Sequence, residues 1–217
     1  MQFAECLNPT GRSRRSFFQA AATSAFFLAP VAQSADIGNN VLGPMPGYSP
    51  QIGTLVSEMA WMRGAVLSAV DKMTRAQLDF LLDNKANRIG ALLLHLAATE
   101  KLYQLNTFEQ VGAKQLDSSP AFKTWKVAMD LGEPARHTIK DHDLDYYLNL
   151  LKEGREKTLM EFRKRDDKWL LSVDKEFFWG PTDNLCKWFH VCEHESHHTG
   201  QISLLKTRVP GAKPENG

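Results

Sequence analysis

Three cysteines in 217 residues are too few for a disulfide scaffold. Cys6 lies in the N-terminal segment, while Cys186 and Cys192 fall six apart on one expected helix and point to different sides of it. They cannot bridge without breaking that helix, so no intramolecular disulfide is expected. Charge of one sign is also missing. The formal net charge is +1, and setting aside the first 34 residues leaves 23 basic and 24 acidic side chains. That balance excludes a nucleic-acid surface. No apolar run reaches the ~20 residues that a bilayer-spanning helix needs, which excludes a stable membrane anchor. The length suits one domain with a sizeable core.

The N-terminus is present for another purpose. Ser13-Arg14-Arg15-Ser16-Phe17-Phe18 is a twin-arginine motif, and an uncharged, alanine-rich run follows from Ala20 to Val31. Residues 1–34 therefore read as a twin-arginine signal peptide, with small residues at Ala32-Gln33-Ser34 for cleavage. This predicts export to the periplasm or the extracellular space. Residues 35–50 are rich in Gly, Pro and Asn and read as an extended linker. The folded unit is expected over 51–210, with a disordered tail at 211–217.

Within that unit the apolar residues recur at helical spacing. Ile52, Leu55, Val56, Met59, Met62, Val66 and Val70 mark a first long helix. Thr74-Arg75-Ala76-Gln77 has capping-box spacing and predicts a short helix to about Leu82. A second long helix begins near Asn87 and carries Leu92, His95, Leu96 and Leu102. Ser119-Pro120 opens one short helix that Gly132 is expected to end. Asp143 can cap a third long helix, whose charges from Lys152 to Lys168 read as a solvated face. Residues 169–179 lack helical spacing and predict an extended connection or a small hairpin. Thr182 or Asp183 caps a fourth long helix that stops before Pro210. The expected fold is all-α, a four-helix bundle with short accessory helices.

The fourth helix holds four of the seven histidines, His190, His194, His197 and His198, within nine residues. His194 and His198 stand one turn apart on one face and can offer two ring nitrogens to a single cation. His95 on the second helix would supply a third ligand and leave coordination positions open. Around this set, His190, Glu195, His197 and Gln201 are candidates for outer support. His190 can donate to a ligand or line the cavity, and Gln201, four residues after His197, can hold a histidine tautomer. Glu195 lies about 100° round the helix from His194, so it can orient a ligand, act as a base or form an interhelical ion pair. Glu100 lies about 140° from His95 and reads as a structural partner. Gly200 would let a neighbouring helix approach closely. Cys186, one turn before His190, can line the cavity mouth but reads more simply as a small apolar residue. Trp125, Trp179, Trp188 and Phe189 read as core and interface aromatics, or as an apolar wall of a substrate pocket.

His194-Glu195-Ser196-His197-His198 also satisfies His-Glu-x-x-His, the zinc-protease pattern. Only 19 residues follow His198, and none is histidine. A protease site would lack its third ligand.

The string from His190 to Ile202, His-Val-Cys-Glu-His-Glu-Ser-His-His-Thr-Gly-Gln-Ile, together with Leu93-Leu94-His95-Leu96-Ala97-Ala98-Thr99-Glu100, resembles the DinB/YfiT-like superfamily over about Ile52 to Pro210. The resemblance implies an up-down-down-up bundle and a divalent metal on His95, His194 and His198. Zinc or nickel suits imidazole best, with manganese and iron as alternatives. Some members of that superfamily are transferases and isomerases that use low-molecular-weight thiols. The resemblance thus implies a metal-dependent enzyme of the thiol-transferase or hydrolase type with a small-molecule substrate. Catalytic residues beyond the ligands are not specified by it. Set against this is a non-catalytic metal- or ligand-binding protein acting in stress response, as a homodimer.

Overall fold

The computed structural model describes residues 40–212. Residues 1–39, which include the expected signal segment, and 213–217 lie outside the described residues. Four long helices carry the fold: α1 (Pro50–Val70), α3 (Ile89–Tyr103), α7 (Leu144–Phe162) and α9 (Asn184–Lys206). Between them run short helices α2 (Arg75–Leu78), α4 (Pro120–Lys123), α5 (Lys126–Asp130), α6 (Gly132–Thr138) and α8 (Asp167–Leu170). Two-residue strands β1 (Val173–Asp174) and β2 (Thr182–Asp183) pair antiparallel just before α9. The bundle is all-α apart from this hairpin.

Contacts along the helices fix their directions. Gly90 meets Tyr147, Arg155 bonds Glu100, and Gln104 bonds Gly154, so α3 and α7 run parallel. Arg63 bonds Glu195 and Lys206 bonds the Ala69 carbonyl, so α1 and α9 run parallel too. His95 faces His194 while Tyr103 faces His190, which sets α3 antiparallel to α9. The order is up-down-down-up. A parallel neighbour needs a return crossover, and residues 109–143 with α4 to α6 supply it. At the α3–α7 crossing a Cβ on Gly90 would stand 2.6 Å from the Tyr147 hydroxyl, so only glycine fits there.

Local chemistry explains most element ends. The Thr74–Gln77 capping box forms in both directions, but α2 stops at Leu78 and not at Leu82. The turn that follows is held by the Arg88 guanidinium, which donates to the Asp79 carbonyl. Asp183 caps α9 by accepting from the Cys186 N–H. Asp143 occupies the N-cap position of α7, but its carboxylate is taken by Arg75 at 2.8–3.0 Å. The single helix expected from Ser119 to Gly132 is instead two, α4 and α5, and a third, α6, starts at Gly132. Leu131 and Gly132 have φ of +55° and +70°, so Gly132 begins α6 rather than ending a longer helix. Helix α3 continues into a π-helical turn, Gln104–Phe108, which hydrophobic spacing gave no reason to expect. The supposed linker is also not free along its whole length. Gly43 N–H donates to the Ser57 hydroxyl, and Met45 packs on the core.

The interior has two apolar blocks. One holds Val66, Leu92, Leu96, Leu151 and Ile202, and the other holds Met59, Tyr103, Phe162, Trp188 and Val191. Along each long helix a polar position falls between the two blocks: Arg63, Glu100, Arg155 and Glu195 are all 8% exposed or less. His194 and His198 flank this layer on α9.

Candidate metal centre

Helix α9 projects His194 and His198 towards α3, where His95 projects back. The Nε2 atoms of His95 and His194 are 2.7 Å apart, and those of His194 and His198 are 3.2 Å apart. One ligand nitrogen from each of the three lies within 4.8 Å of the other two. Two nitrogens that each stand about 2.1 Å from one ion are separated by roughly 3 Å, so the spacing suits a shared cation.

The outer ring nitrogens settle which atoms are free to bind. His95 Nδ1 lies 2.9 Å from the Ala128 carbonyl of α5, and His198 Nδ1 lies 2.9 Å from Gln201 Oε1. Both partners are acceptors, so both Nδ1 atoms carry hydrogen and both Nε2 atoms present bare lone pairs. A hydrogen on His194 Nε2 would satisfy only one of them at a time. A single cation satisfies all three.

A proton is a poor occupant. Burial, then the neighbouring His95 and His198, push His194 down to about 2, and burial pushes His198 down to about 4. Burial lowers His95 as well. The three rings are neutral at pH 7, which is the ligating form.

Other expected residues divide between support and structure. Gln201 bridges two histidines, accepting from His198 and placing its amide nitrogen 3.1 Å from Nε2 of exposed His197. His190, half-buried, stands beside His194 with ring centroids 4.8 Å apart. His190, Glu193 and His194 also come within ligand reach of one another. The buried Tyr103 hydroxyl, its pKa raised by desolvation, lies 2.8 Å from His190 Nδ1, so that ring nitrogen is engaged within the chain.

Glu195 turns away from the histidines. Its Oε1 receives Arg63 Nε at 2.8 Å and Arg155 Nη2 at 2.9 Å. Glu100 completes the quartet through Arg63 at 3.0 Å and Arg155 at 2.9 Å. Burial raises the Glu100 pKa, but Arg155 and Arg63 outweigh it and hold Glu100 below its usual value. Burial opposes the Arg155 charge too, and Glu100 and Glu195 hold its pKa above the ordinary arginine value. Of the three roles open to Glu195, the structure displays the interhelical ion pair. The same contacts remove it as the general base of a His-Glu-x-x-His protease.

Several particulars differ from expectation. Arg155 belongs to the charge run expected to be solvated, yet it is buried. Nothing lies within 4 Å of a Cβ built on Gly200, so no helix approaches there. Cys186 is exposed, while Cys192 is buried with its thiol pushed up to about 12 by desolvation. Neither is bridged. Trp188 is a core residue, Trp125 packs partly buried, and Trp179 and Phe189 are exposed. Arg63, Tyr103 and the Ala128 carbonyl escaped the sequence reading. For Arg63 a signal existed, because it is a lone charge among the apolar positions of α1. The carbonyl had none.

A family model for the DinB family matches residues 45–216. The chain belongs to the DinB family. The all-α fold and the three-histidine group fit that membership, and the match spans every long helix. No curated protein sequence matches the chain closely.

Proposed function

We propose that this DinB-family protein holds a divalent metal on His95, His194 and His198 and uses it as an enzyme of the thiol-transferase or hydrolase type. The reading is carried by one observation. Three Nε2 atoms converge while the outer nitrogens of His95 and His198 are committed to acceptors. Imidazole ligands favour zinc or nickel over manganese and iron. A divalent ion with open positions supplies Lewis acidity and lowers the pKa of a thiol or water that reaches it. The chain's own groups do the rest. Ala128 and Gln201 hold two ligand rings in one tautomer, and the His190 ring stands beside the site. Part-exposed His194 gives access from solvent, whereas His95 and His198 are buried.

Export by the twin-arginine route belongs to the same proposal. It favours a small-molecule substrate met outside the cytoplasm over a cytosolic thiol. A non-catalytic metal-binding protein is the second reading. It needs no substrate cleft at His95, His194 and His198, and the two clefts of about 310 and 440 Å³ are lined by other residues.

Elemental analysis of gently purified wild type and His198→Ala tests the site. The expected result is near one divalent ion per wild-type chain and a large loss in the variant. Equal metal content in both would overturn the assignment.

A further inference from the structure

Beside the histidines lies an exposed aromatic shelf. Phe178 is 57% exposed and Trp179 is 49% exposed, next to each other at the turn before β2. Large aromatic faces left in water on a fixed loop mark a recognition surface more often than a packing accident. This loop is fixed from below. Phe177 is 3% exposed, and the buried Lys187 ammonium sits 4.4 Å from its ring centroid. Lys187 also binds Asp174 of β1 at 2.9 Å and Asn106 at 2.8 Å. The Gly180 N–H closes the turn onto the Phe177 carbonyl at 2.9 Å. Phe177 then stacks on Phe178 at 4.0 Å between centroids, and Phe178 meets Trp179 at 5.3 Å. The shelf is preorganised, so a ligand would not have to order it.

The shelf also leads to the metal centre. Trp179 stands edge-on to His190 at 5.0 Å, and His190 stands 4.8 Å from His194. From the indole to the first ligand there is one intervening ring, and Tyr103 engages its Nδ1 at 2.8 Å. A molecule a little longer than one aromatic ring system can touch both ends.

We propose that Phe178 and Trp179 form the recognition surface for the apolar, aromatic-bearing part of a small-molecule substrate whose polar donor atom reaches His95, His194 and His198. The assignment rests on the reading of those histidines as a metal site. Its chemistry is a division of labour. Aromatic stacking selects the substrate body, the His190 ring lies between, and the histidine centre receives the reacting group.

The test uses the full-length protein, first analysed for metal and then titrated by calorimetry with two chelating probes, acetohydroxamate and 2-naphthohydroxamate. Both offer the same metal-binding head, and only the second has a body for the shelf. The naphthyl probe is expected to bind at least about tenfold more tightly to wild type. Trp179→Ala and Phe178→Ala should each erase most of that advantage while leaving metal content and acetohydroxamate affinity unchanged. Trp179→Phe should retain most of it, which guards against a folding defect. Equal affinity of the two probes in wild type, or an advantage that survives Trp179→Ala, overturns the shelf assignment with the metal reading intact. A wild-type dimer that becomes monomeric in Trp179→Ala with unchanged naphthyl binding also overturns it, because the shelf is then a subunit contact. Absence of metal from wild type is recorded before any probe is added. It overturns the metal reading and this inference with it.

Discussion

Helix α9 builds two buried polar clusters from adjacent residues, and the two differ in what they need. On one side Glu195 joins Arg63, Glu100 and Arg155, two anions with two cations, each guanidinium also donating to a backbone carbonyl. On the other side His194 and His198 join His95, three neutral rings with lone pairs aimed at one another. The quartet balances its charges within the chain, although Glu195 Oε2 is buried without a hydrogen-bond partner. The triad lacks a positive charge that the chain does not provide and that a proton supplies poorly. A buried polar cluster whose charges cancel points to structure, and one without a counter-charge points to a ligand.

The comparison can be broken most forcefully at the quartet. Glu100→Ala leaves two buried guanidinium groups facing one carboxylate, so chemical denaturation should show a loss of about 3–5 kcal/mol of stability. Metal content per folded chain should stay unchanged. A variant that keeps its stability but loses metal would show that the two clusters are one. A smaller effect is expected from Gln201→Leu, which removes the acceptor fixing His198 Nδ1–H. Competition against a chelator should show metal affinity reduced by about 10- to 100-fold, with little change in unfolding. If affinity is unchanged, the tautomer is held by something other than Gln201.

The pH dependence of the metal-free protein tests the triad without the ion. His194 and His198 are depressed to about 2 and about 4 when folded, against 6.5 ordinarily. Above pH 6.5 neither state takes up a proton there, and the rings do not weaken the fold. As pH falls below 6.5 the unfolded chain protonates first, so stability drops, and it continues to drop towards the folded values. Melting temperature from pH 7.5 to pH 4.5 should therefore fall more steeply in wild type than in a His194→Phe, His198→Phe double variant. Identical slopes would mean that the rings are not depressed in the folded protein.

The site was unevenly legible before folding. His194 and His198 declare themselves, because an i, i+4 pair on an apolar-bounded helix has one geometry. His95 does not. One histidine on an apolar stripe is ordinarily a core residue with a hydrogen-bonded partner, and its role depends on which way α3 runs past α9. Glu195 and Glu100 were open between ligand support and ion pairing. Their choice was made by Arg63 and Arg155, which arrive from helices 37 to 132 residues away in sequence. Arg155 looked like one more solvated charge because a dense charge run hides the single member that turns inward.

What the sequence by itself determined is the set of amphipathic helices, the caps of α2 and α9 and the half-site on α9, since these follow from spacing within one turn or a few. Family membership was legible for the same reason. It rests on strings of residues along single helices. Only the tertiary structure decided the parallel pairing of α3 with α7 and the layer of charge between two apolar blocks. It also separated α5 from α6 at Leu131 and Gly132, and it placed Trp179 within one ring of the histidines. Those are relations between segments distant in the chain, where packing and electrostatic pairing select one arrangement among several that local spacing allows equally.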